Sequence, residues 1–227
     1  ELETALYDMA QKTAAIIIEP IQGEGGINVI SNDFLQFLRN FCTENDILLI
    51  FDEIQTGIGR TGTLFAYEQT GVIPDIMTLA KGLGGGFPIS ACLCGKEIAT
   101  DMKPGTHGAT FGGNFLATTA ANAVLDIVAE PNFLNQVKIQ SNFLRSGLQE
   151  LTNKFSNIIN NLQGRGLLLG LKTNIVEKLI FACREQKLLT LGADNNVMRL
   201  IPALNINQNE SSLALKKLEA ALISLNS

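Results

Sequence analysis

The residues with the clearest capacity for chemistry are a lysine and an acid, each at the end of an apolar run. The run 76–80 ends at Lys81, and a glycine-rich turn follows it. The run 47–51 ends on Asp52 and Glu53, and Asp52 precedes Lys81 by 29 positions (81 − 52). In open α/β sheets, ligands bind outside the carboxyl ends of the strands. The pattern therefore raises the hypothesis that Lys81 and Asp52 serve one site.

These two groups offer different chemistry. A lysine that is partly desolvated at a strand end loses some preference for its charged form, and its neutral amine is the nucleophile of Schiff-base chemistry. A buried carboxylate is costly unless a cation or a hydrogen-bond donor meets it. Asp52 could be a helix N-cap or the ion-pair partner of an arginine such as Arg60. It could also keep a heterocyclic nitrogen protonated and so make a pyridine ring an electron sink. The acid alone leaves both interpretations open.

The segment Gly57–Gly62 matches the pattern G-x-G-x-x-G. In a dinucleotide-binding unit the first glycine directly follows the strand, whereas residues 52–56 intervene here. The pattern is therefore weak evidence for a nicotinamide-binding dehydrogenase domain, which we keep as an alternative. The phosphate loop G-x-x-x-x-G-K-[ST] does not occur in the sequence.

Composition limits the class of protein. The 227 residues suffice for one large or two modest domains, and 46% hydrophobic residues with 21 glycines suit a compact α/β protein. The 17 basic and 22 acidic residues give a net charge of −5 without a basic run, so we expect neither nucleic acid nor a membrane surface as a partner. We expect no membrane-spanning helix and no signal peptide, and therefore a cytoplasmic protein.

The sequence offers few metal ligands. The four cysteines are interpreted as small residues in a reducing cytosol, and His107, the one histidine, as a hydrogen-bonding residue of a loop. Cys92 and Cys94 are expected to face opposite sides of a strand and so not to share a metal. We predict no metal site.

Hydrophobic periodicity predicts alternating helices and strands. The predicted helices cover 1–10, 31–43, 64–70, 115–129, 132–153, 175–187 and 210–225, and the predicted strands cover 14–18, 47–51, 76–80, 89–94, 165–172, 188–191 and 197–201. Continuous apolar runs between amphipathic helices favour an α/β fold with a largely parallel sheet. A more polar texture beyond 125–132 indicates a smaller α+β domain, so we predict domains at 1–128 and 129–227.

Five motifs occur in order along the chain: Glu19–Gly26, Phe51–Gly62, Pro74–Lys81, Gly84–Pro88 and His107–Asn114. Together they resemble the class III aminotransferases, over the whole length of the chain. The resemblance implies pyridoxal phosphate as cofactor and the aspartate-aminotransferase-like fold, fold type I of the PLP-dependent transferases. The first predicted domain would then be part of the large cofactor-binding domain. Within the family, the resemblance is closest to members that use acetylornithine and 2-oxoglutarate in arginine biosynthesis, and members that use ornithine come next.

The resemblance implies roles for individual residues around the cofactor. Lys81 matches the lysine that forms a Schiff base with the cofactor and then carries a proton between substrate and cofactor carbons. Asp52 matches the acid paired with the pyridinium nitrogen, and Gln55 matches the amide near the phenolic oxygen of the ring. Glu53 and Ile54 complete the matched cofactor-binding segment.

Other matched positions concern the phosphate and the substrate. Thr110 matches a hydroxyl that reaches a cofactor phosphate, usually across the interface of a homodimer. Ala109 stands where the family often has a substrate-lining serine, and Glu24 matches an acid near the substrate mouth. Arg199 matches the arginine that takes a substrate carboxylate, which its planar fork can grip with two bonds. The expected substrates are an amino acid and a 2-oxo acid.

The chain departs from the family pattern in three places. Ser90 replaces a common glycine, and Phe115 replaces a proline. The larger departure is that the N-terminal half of the family is absent from this sequence. That half normally supplies the main phosphate-cradling loop, the aromatic residue stacked on the ring and another substrate-binding arginine, so we expect the chain alone to bind the cofactor poorly. The alternative to an active aminotransferase is an inactive truncated remnant of one.

Overall fold

A computed structural model of the protein describes residues 2–226. The chain forms two compact units that are each discontinuous in sequence. The first comprises the chain up to Pro20, Ile30–Ile58 and Phe65–Ile127, and the second comprises Ile21–Val29, Gly59–Leu64 and the chain from Val128 onward. The predicted domain bounds, 1–128 and 129–227, stay a prediction.

Helices and strands alternate along most of the chain, as the sequence predicts. The helices are α1 (Leu2–Met9), α2 (Asn32–Glu44), α3 (Lys96–Ala99), α4 (Phe115–Val128), α5 (Pro131–Lys154), α6 (Val176–Glu185) and α7 (Gln208–Leu225). The strands are β1 (Ala15–Ile18), β2 (Ile21–Gln22), β3 (Asn28–Val29), β4 (Leu48–Asp52), β5 (Ile76–Leu79), β6 (Ala91–Cys94), β7 (Ile159–Arg165), β8 (Leu168–Thr173), β9 (Leu191–Ala193) and β10 (Val197–Leu200). The periodicity does not predict β2, β3 or β7. The helix predicted at 64–70 is a short 3-10 turn, and residue 1 of the first predicted helix lies outside the described residues.

The first unit is built on a four-stranded sheet in the order β1-β4-β5-β6. β1, β4 and β5 are parallel, and β6 is antiparallel to β5, so the predicted largely parallel sheet is found. One face packs against α2, where Leu38 and Phe41 meet Leu49 and Phe51 in a core from which solvent is excluded. Ser31 caps α2, because its side chain accepts a hydrogen bond from Phe34 N at 3.2 Å.

The other face of this sheet carries two rows of side chains that run across the strands. Residues in register on neighbouring strands project from the same face. The first row consists of Ile17, Ile50, Ile76 and Cys94, and the second row consists of Asp52, Thr78 and Cys92. The expectation that Cys92 and Cys94 face opposite sides is wrong, because residues two apart on a strand share a face. Among residues 2–226 there is no cluster of three or more possible metal ligands.

The second unit has a four-stranded antiparallel sheet in the order β7-β8-β10-β9. Its core includes Leu148 of α5, Leu171 of β8, Met198 of β10 and Leu222 of α7. The hairpin formed by β2 and β3 belongs to this unit, and its buried residue Ile27 packs with Leu168 and Val197. In the described part of the chain, no helix is both long and apolar enough to cross a membrane.

The short segment Gly59–Leu64 is tied into the second unit by a half-buried cation. Arg60 Nη1 donates hydrogen bonds to Leu167 O at 3.2 Å and to Pro202 O at 2.6 Å, and Leu167 N donates to Arg60 O at 2.9 Å. Burial lowers the pKa of the Arg60 guanidinium to about 10. The packing is tight: a Cβ added at Gly166, where φ is +62°, would lie 2.4 Å from Thr61 Cα. Both acceptors of Arg60 Nη1, Leu167 O and Pro202 O, are backbone carbonyls.

Candidate active site

The first unit brings the predicted acid and lysine to the ends of adjacent strands. Asp52 is the last residue of β4, Thr78 is its in-register partner on β5, and Lys81 follows β5 by two residues. Glu53 N donates a hydrogen bond to Thr78 O at 3.0 Å, which extends the strand pairing by one bond. The Asp52 side chain is half-buried, and its Oδ1 accepts a hydrogen bond from Ile54 N at 2.9 Å. This local hydrogen bond restrains the orientation of the carboxylate.

Lys81 lies in an unusual backbone conformation. Its φ is +40°, outside the regions that residues with a Cβ normally occupy, and it begins the 3-10 turn Lys81–Gly84. Its side chain is exposed, and it lines an open cavity of about 670 Å³ together with Phe87, Ile89 and Ser90. Such backbone strain persists only where the surroundings impose it, and it concentrates at functional sites.

The glycines after Lys81 do more than open the backbone to a ligand. A Cβ at Gly84 would lie 2.8 Å from Ile89 Cγ2, and one at Gly85 would lie 2.8 Å from Val124 Cγ2. Gly86 differs, because its φ is +110° and no atom lies within 4 Å of a Cβ built there. Two of these glycines therefore allow close packing beneath the turn, and Gly86 is the one beside open space.

The loop after Asp52 is organised by a buried carboxylate. Glu53 is 1% exposed. Its carboxylate accepts hydrogen bonds from Thr56 Oγ1 at 2.7 Å, Ala66 N at 2.9 Å and Tyr67 N at 2.8 Å. Burial raises the pKa of Glu53, against the effect of these hydrogen bonds. The Glu53 side chain thus stabilises the interior of the loop through hydrogen bonds. The neighbouring Gln55 is half-buried.

The segment predicted to reach a cofactor phosphate lies on the surface of the first unit. Thr110 and Ala109 are exposed, in a turn closed by a hydrogen bond from Gly112 N to Ala109 O at 3.1 Å. Large apolar side chains beside them are also exposed, Phe111 to 82% and Phe115 to 90%. The structure therefore does not bury Thr110 or Ala109 in the unit that carries them.

The two substrate-binding candidates in the second unit form an ion pair with each other. Arg199 lies on β10 and is 7% exposed, and its Nη1 donates a hydrogen bond to Glu24 Oε1. Glu24 lies in the turn between β2 and β3, and the backbone N–H of Asp194 donates to its carbonyl at 2.8 Å. The sequence names both residues but gives no sign of this pairing, because 175 positions separate them.

Residues 1–222 match the family described as Aminotransferase class-III, and the chain belongs to this family. It is 50% identical over 215 residues to the acetylornithine aminotransferase of Agrobacterium fabrum (strain C58 / ATCC 33970), with 94% of this chain and 54% of that protein covered. The acetylornithine aminotransferase 1 of Bradyrhizobium diazoefficiens is 45% identical over 228 residues, with 100% of this chain and 56% of that protein covered. The chain thus spans about half the length of the curated relatives it matches.

Solved structures show the same relationship. The N-acetylornithine aminotransferase of Stenotrophomonas maltophilia K279a superposes with a TM-score of 0.88 at 40% identity, and 99% of this chain and 60% of that chain are covered. An ornithine aminotransferase of Toxoplasma gondii has a TM-score of 0.92 at 34% identity, and 99% of this chain and 54% of that chain are covered. That structure is described with partial occupancy of PLP at its active site. The predicted aminotransferase family and its α/β fold are confirmed, and pyridoxal phosphate is the cofactor of the family.

The residues of the first unit fit one part of this cofactor. An exposed amine at Lys81 and a carboxylate at Asp52 occupy adjacent strand ends, which suits an aldehyde carbon and a ring nitrogen on one small aromatic molecule. Gly86 leaves backbone space beside the lysine. Thr110 is the phosphate-binding candidate, and it lies on an exposed turn. The candidates for the aldehyde carbon and the ring nitrogen therefore lie together at strand ends, whereas the phosphate candidate lies on an exposed turn.

Proposed function

We propose that this chain is part of a cytoplasmic aminotransferase that moves an amino group between N-acetylornithine and 2-oxoglutarate, a reaction of arginine biosynthesis. The observation that carries the proposal is the placement of Lys81 and Asp52 on adjacent strand ends. The names of the relatives support acetylornithine as the amino donor. Ornithine or another ω-amino acid is the alternative donor, since an ornithine aminotransferase superposes with a TM-score of 0.92, against 0.88 for the N-acetylornithine aminotransferase.

In this proposal Lys81 has two tasks. Its Nζ would hold pyridoxal phosphate covalently through the aldehyde carbon, and it would be a free amine again once an amino substrate is bound. As a free amine, Lys81 Nζ would take the proton from the substrate carbon as general base and would return it as general acid. Bound pyridoxal phosphate supplies a conjugated ring that accepts the electron pair left behind. The exposure of the Lys81 side chain suits an amine that must change partners.

The segment after β4 would hold the ring. Asp52 would keep the ring nitrogen protonated, and Gln55 would donate to the phenolic oxygen. Ile54 contributes its backbone N–H, which holds Asp52 Oδ1 at 2.9 Å. The contribution of Glu53 would be indirect, because its carboxylate is buried in the loop that carries Gln55.

Arg199 would bind a carboxylate of the substrate. The Glu24 carboxylate would compete with the substrate for the Arg199 guanidinium. The guanidinium is buried and faces the Glu24 carboxylate, so it is already poised to bind a carboxylate. A substrate carboxylate would take the place of Glu24, whose side chain is 69% exposed and can move into solvent. Ala109 would line the substrate site without offering a hydroxyl.

We also propose that the protein acts as a homodimer with Thr110 donating to the cofactor phosphate of the partner subunit. Thr110 is exposed beside a patch of large apolar side chains, of which Phe111 is 82%, Phe115 90% and Leu116 66% exposed. Contiguous exposed apolar surface marks protein interfaces. Burial of this patch against a second copy would bring Thr110 to the cofactor phosphate of the partner subunit and would exclude solvent from that contact.

Reductive trapping tests the proposed chemistry directly. The protein is incubated with pyridoxal phosphate, reduced with borohydride, digested and mapped by mass spectrometry. We expect stoichiometric labelling at Lys81, and no labelling or transamination in Lys81→Ala. Lys96→Ala is the matched control, because Lys96 is an exposed lysine of the same unit at the start of α3.

The comparison is made on the 227-residue chain and on the protein expressed from the full reading frame that contains it. Labelling and acetylornithine-dependent glutamate formation in the second sample support the proposal. Absence of both there would favour the inactive remnant. Labelling at a lysine other than Lys81 would refute the assignment of the nucleophile.

A further inference from the structure

A buried hydroxyl of the first unit lies beside the candidate cofactor site without a hydrogen-bond partner. Thr78 Oγ1, on β5, is inaccessible to solvent and bonds no group within residues 2–226. Buried polar atoms in native proteins nearly always have a partner, because leaving one unpaired costs the full desolvation of the group. A hydroxyl of this kind next to a binding site indicates a partner that is engaged in another state of the site.

The position of Thr78 on the sheet selects the partner. Thr78 is in register with Asp52 on the neighbouring parallel strand, and adjacent strands lie ~4.8 Å apart. The bond from Glu53 N to Thr78 O, 3.0 Å long, holds the strand ends in this register. The hydroxyl and the carboxylate therefore share one face of the sheet, within reach of each other by side-chain rotation.

One oxygen of the Asp52 carboxylate, Oδ2, is the candidate acceptor for the Thr78 hydroxyl. Asp52 Oδ1 accepts a hydrogen bond from Ile54 N, which is the side-chain hydrogen bond of Asp52 among the described residues. The neighbour of Thr78 on its other side is Cys92 of β6. A thiol sulfur is a weak acceptor, whereas a hydrogen bond to an ionised carboxylate is short and strong. Asp52 Oδ2 is therefore the better acceptor for the Thr78 hydroxyl.

We propose that Thr78 is a positioning residue for Asp52. When the cofactor ring is bound, the Thr78 hydroxyl donates to Asp52 Oδ2 while Ile54 N donates to Oδ1. Held on both oxygens, the carboxylate keeps one orientation toward the ring nitrogen and loses less freedom when the ring binds. This inference rests on the proposed function, because that function makes Asp52 the partner of the ring nitrogen.

The test compares Thr78→Val, which keeps the side-chain shape and removes the hydroxyl, with Thr78→Ser, which keeps the hydroxyl. The protein is expressed from the full reading frame that contains this chain. The probe is pyridoxamine phosphate, whose amine cannot bond covalently to Lys81, so its affinity measures the non-covalent contacts alone. We expect Thr78→Val to weaken binding about tenfold, the lower range for a hydrogen bond to a charged group, and Thr78→Ser to restore most of it.

A double-mutant cycle with Asp52→Asn separates this role from a merely structural one. If Thr78 acts through the carboxylate, Thr78→Val should change the affinity less than about twofold in the Asp52→Asn background. Thr78→Ala gives the same comparison should Thr78→Val not fold, as judged by circular dichroism. An equal loss in both backgrounds, no loss, or no recovery with serine overturns the inference and leaves the proposed function standing. If the unsubstituted protein binds no pyridoxamine phosphate, the proposed function and this inference both fall.

Discussion

Replacement of Glu24 by glutamine removes the negative charge that faces Arg199 in the second unit and keeps the size of the side chain. The two side chains differ in exposure, 8% for Arg199 and 69% for Glu24. The guanidinium stays buried in either variant, and the amide oxygen of glutamine can still accept its hydrogen bond. The substitution therefore weakens the interaction of residue 24 with Arg199 and leaves no cavity beside the guanidinium.

The structure sets the size of the expected effect. Opposite charges 4 Å apart attract by about 4 kcal/mol at an effective dielectric constant of 20, whereas an exposed ion pair is worth about 0–1 kcal/mol. Because Glu24 is mostly exposed and Arg199 is buried, we place their attraction between these limits, at about 1–2 kcal/mol. In the proposed function, a substrate carboxylate would have to overcome that attraction to bind Arg199. Its removal should tighten carboxylate binding about tenfold, since each 1.4 kcal/mol is a factor of about ten.

The assay is the KM for 2-oxoglutarate in protein expressed from the full reading frame that contains this chain. We expect Glu24→Gln to lower this KM about tenfold with little change in kcat, because the proposed function makes Glu24 a competitor for binding and assigns proton transfer to Lys81. Asp194→Asn is the matched control, since it removes an equal charge from the segment whose backbone N–H donates to Glu24 O. An unchanged or higher KM in Glu24→Gln would refute the competition. An equal decrease in Asp194→Asn would show a general electrostatic effect instead.

Three further predictions concern packing and titration. Gly166→Ala should lower the free energy of unfolding by about 3 kcal/mol, because it adds a backbone clash to the left-handed conformation. Gly71→Ala should lower it by about 1 kcal/mol, because Gly71 has a φ of +71° but open space around its Cβ position. Urea unfolding of the two variants measures the difference. Burial raises the pKa of Cys183 to about 11, so Cys183 should resist maleimide at pH 8 while the exposed Cys92 reacts. Mass spectrometry of the labelled native protein tests this, and rapid labelling of Cys183 would contradict its burial. Because burial raises the pKa of Glu53 above its ordinary 4.5, its contribution to stability is fully present below about pH 4.5 and is lost as the pH rises through the raised value. The stability of the wild type relative to Glu53→Gln should therefore decrease over that interval in urea titrations, and an increase would reverse the sign.

The strand ends were predictable from sequence because local signals define them. The apolar runs before Asp52 and Lys81 are long enough to indicate buried strands, and β4 and β5 form where these runs lie. Ser31 likewise caps α2 through a local hydrogen bond. In each case the decisive interaction is short in sequence or depends on periodicity alone.

β7 was missed for a reason that its composition explains. Its sequence, Ile159–Arg165, is mostly polar, and only Ile159 and Leu162 are buried. The strand exists because its backbone pairs with β8, across a register shift between Ile159 and Asn161. Backbone hydrogen bonding of this kind leaves little trace in the pattern of side chains.

The glycines after Lys81 show a second limit. The sequence shows a glycine-rich turn here, and the absence of side chains would suit a ligand. The structure shows that Gly84 and Gly85 are required by Ile89 and Val124, which pack against them, and that Gly86 is the one beside open space. Composition cannot distinguish these roles, because both require only a missing Cβ.

The sequence by itself determined the family, the cofactor and the two chemical groups at the strand ends, since motifs and apolar runs are local properties of the chain. Only the tertiary structure decided which groups meet across long separations. It paired Glu24 with Arg199 and placed Thr78 beside Asp52. It also turned the Glu53 carboxylate into the interior of its loop. The physical reason is that strand register and burial are set by the folded chain as a whole, and they fix which polar groups share a face and which must find a partner.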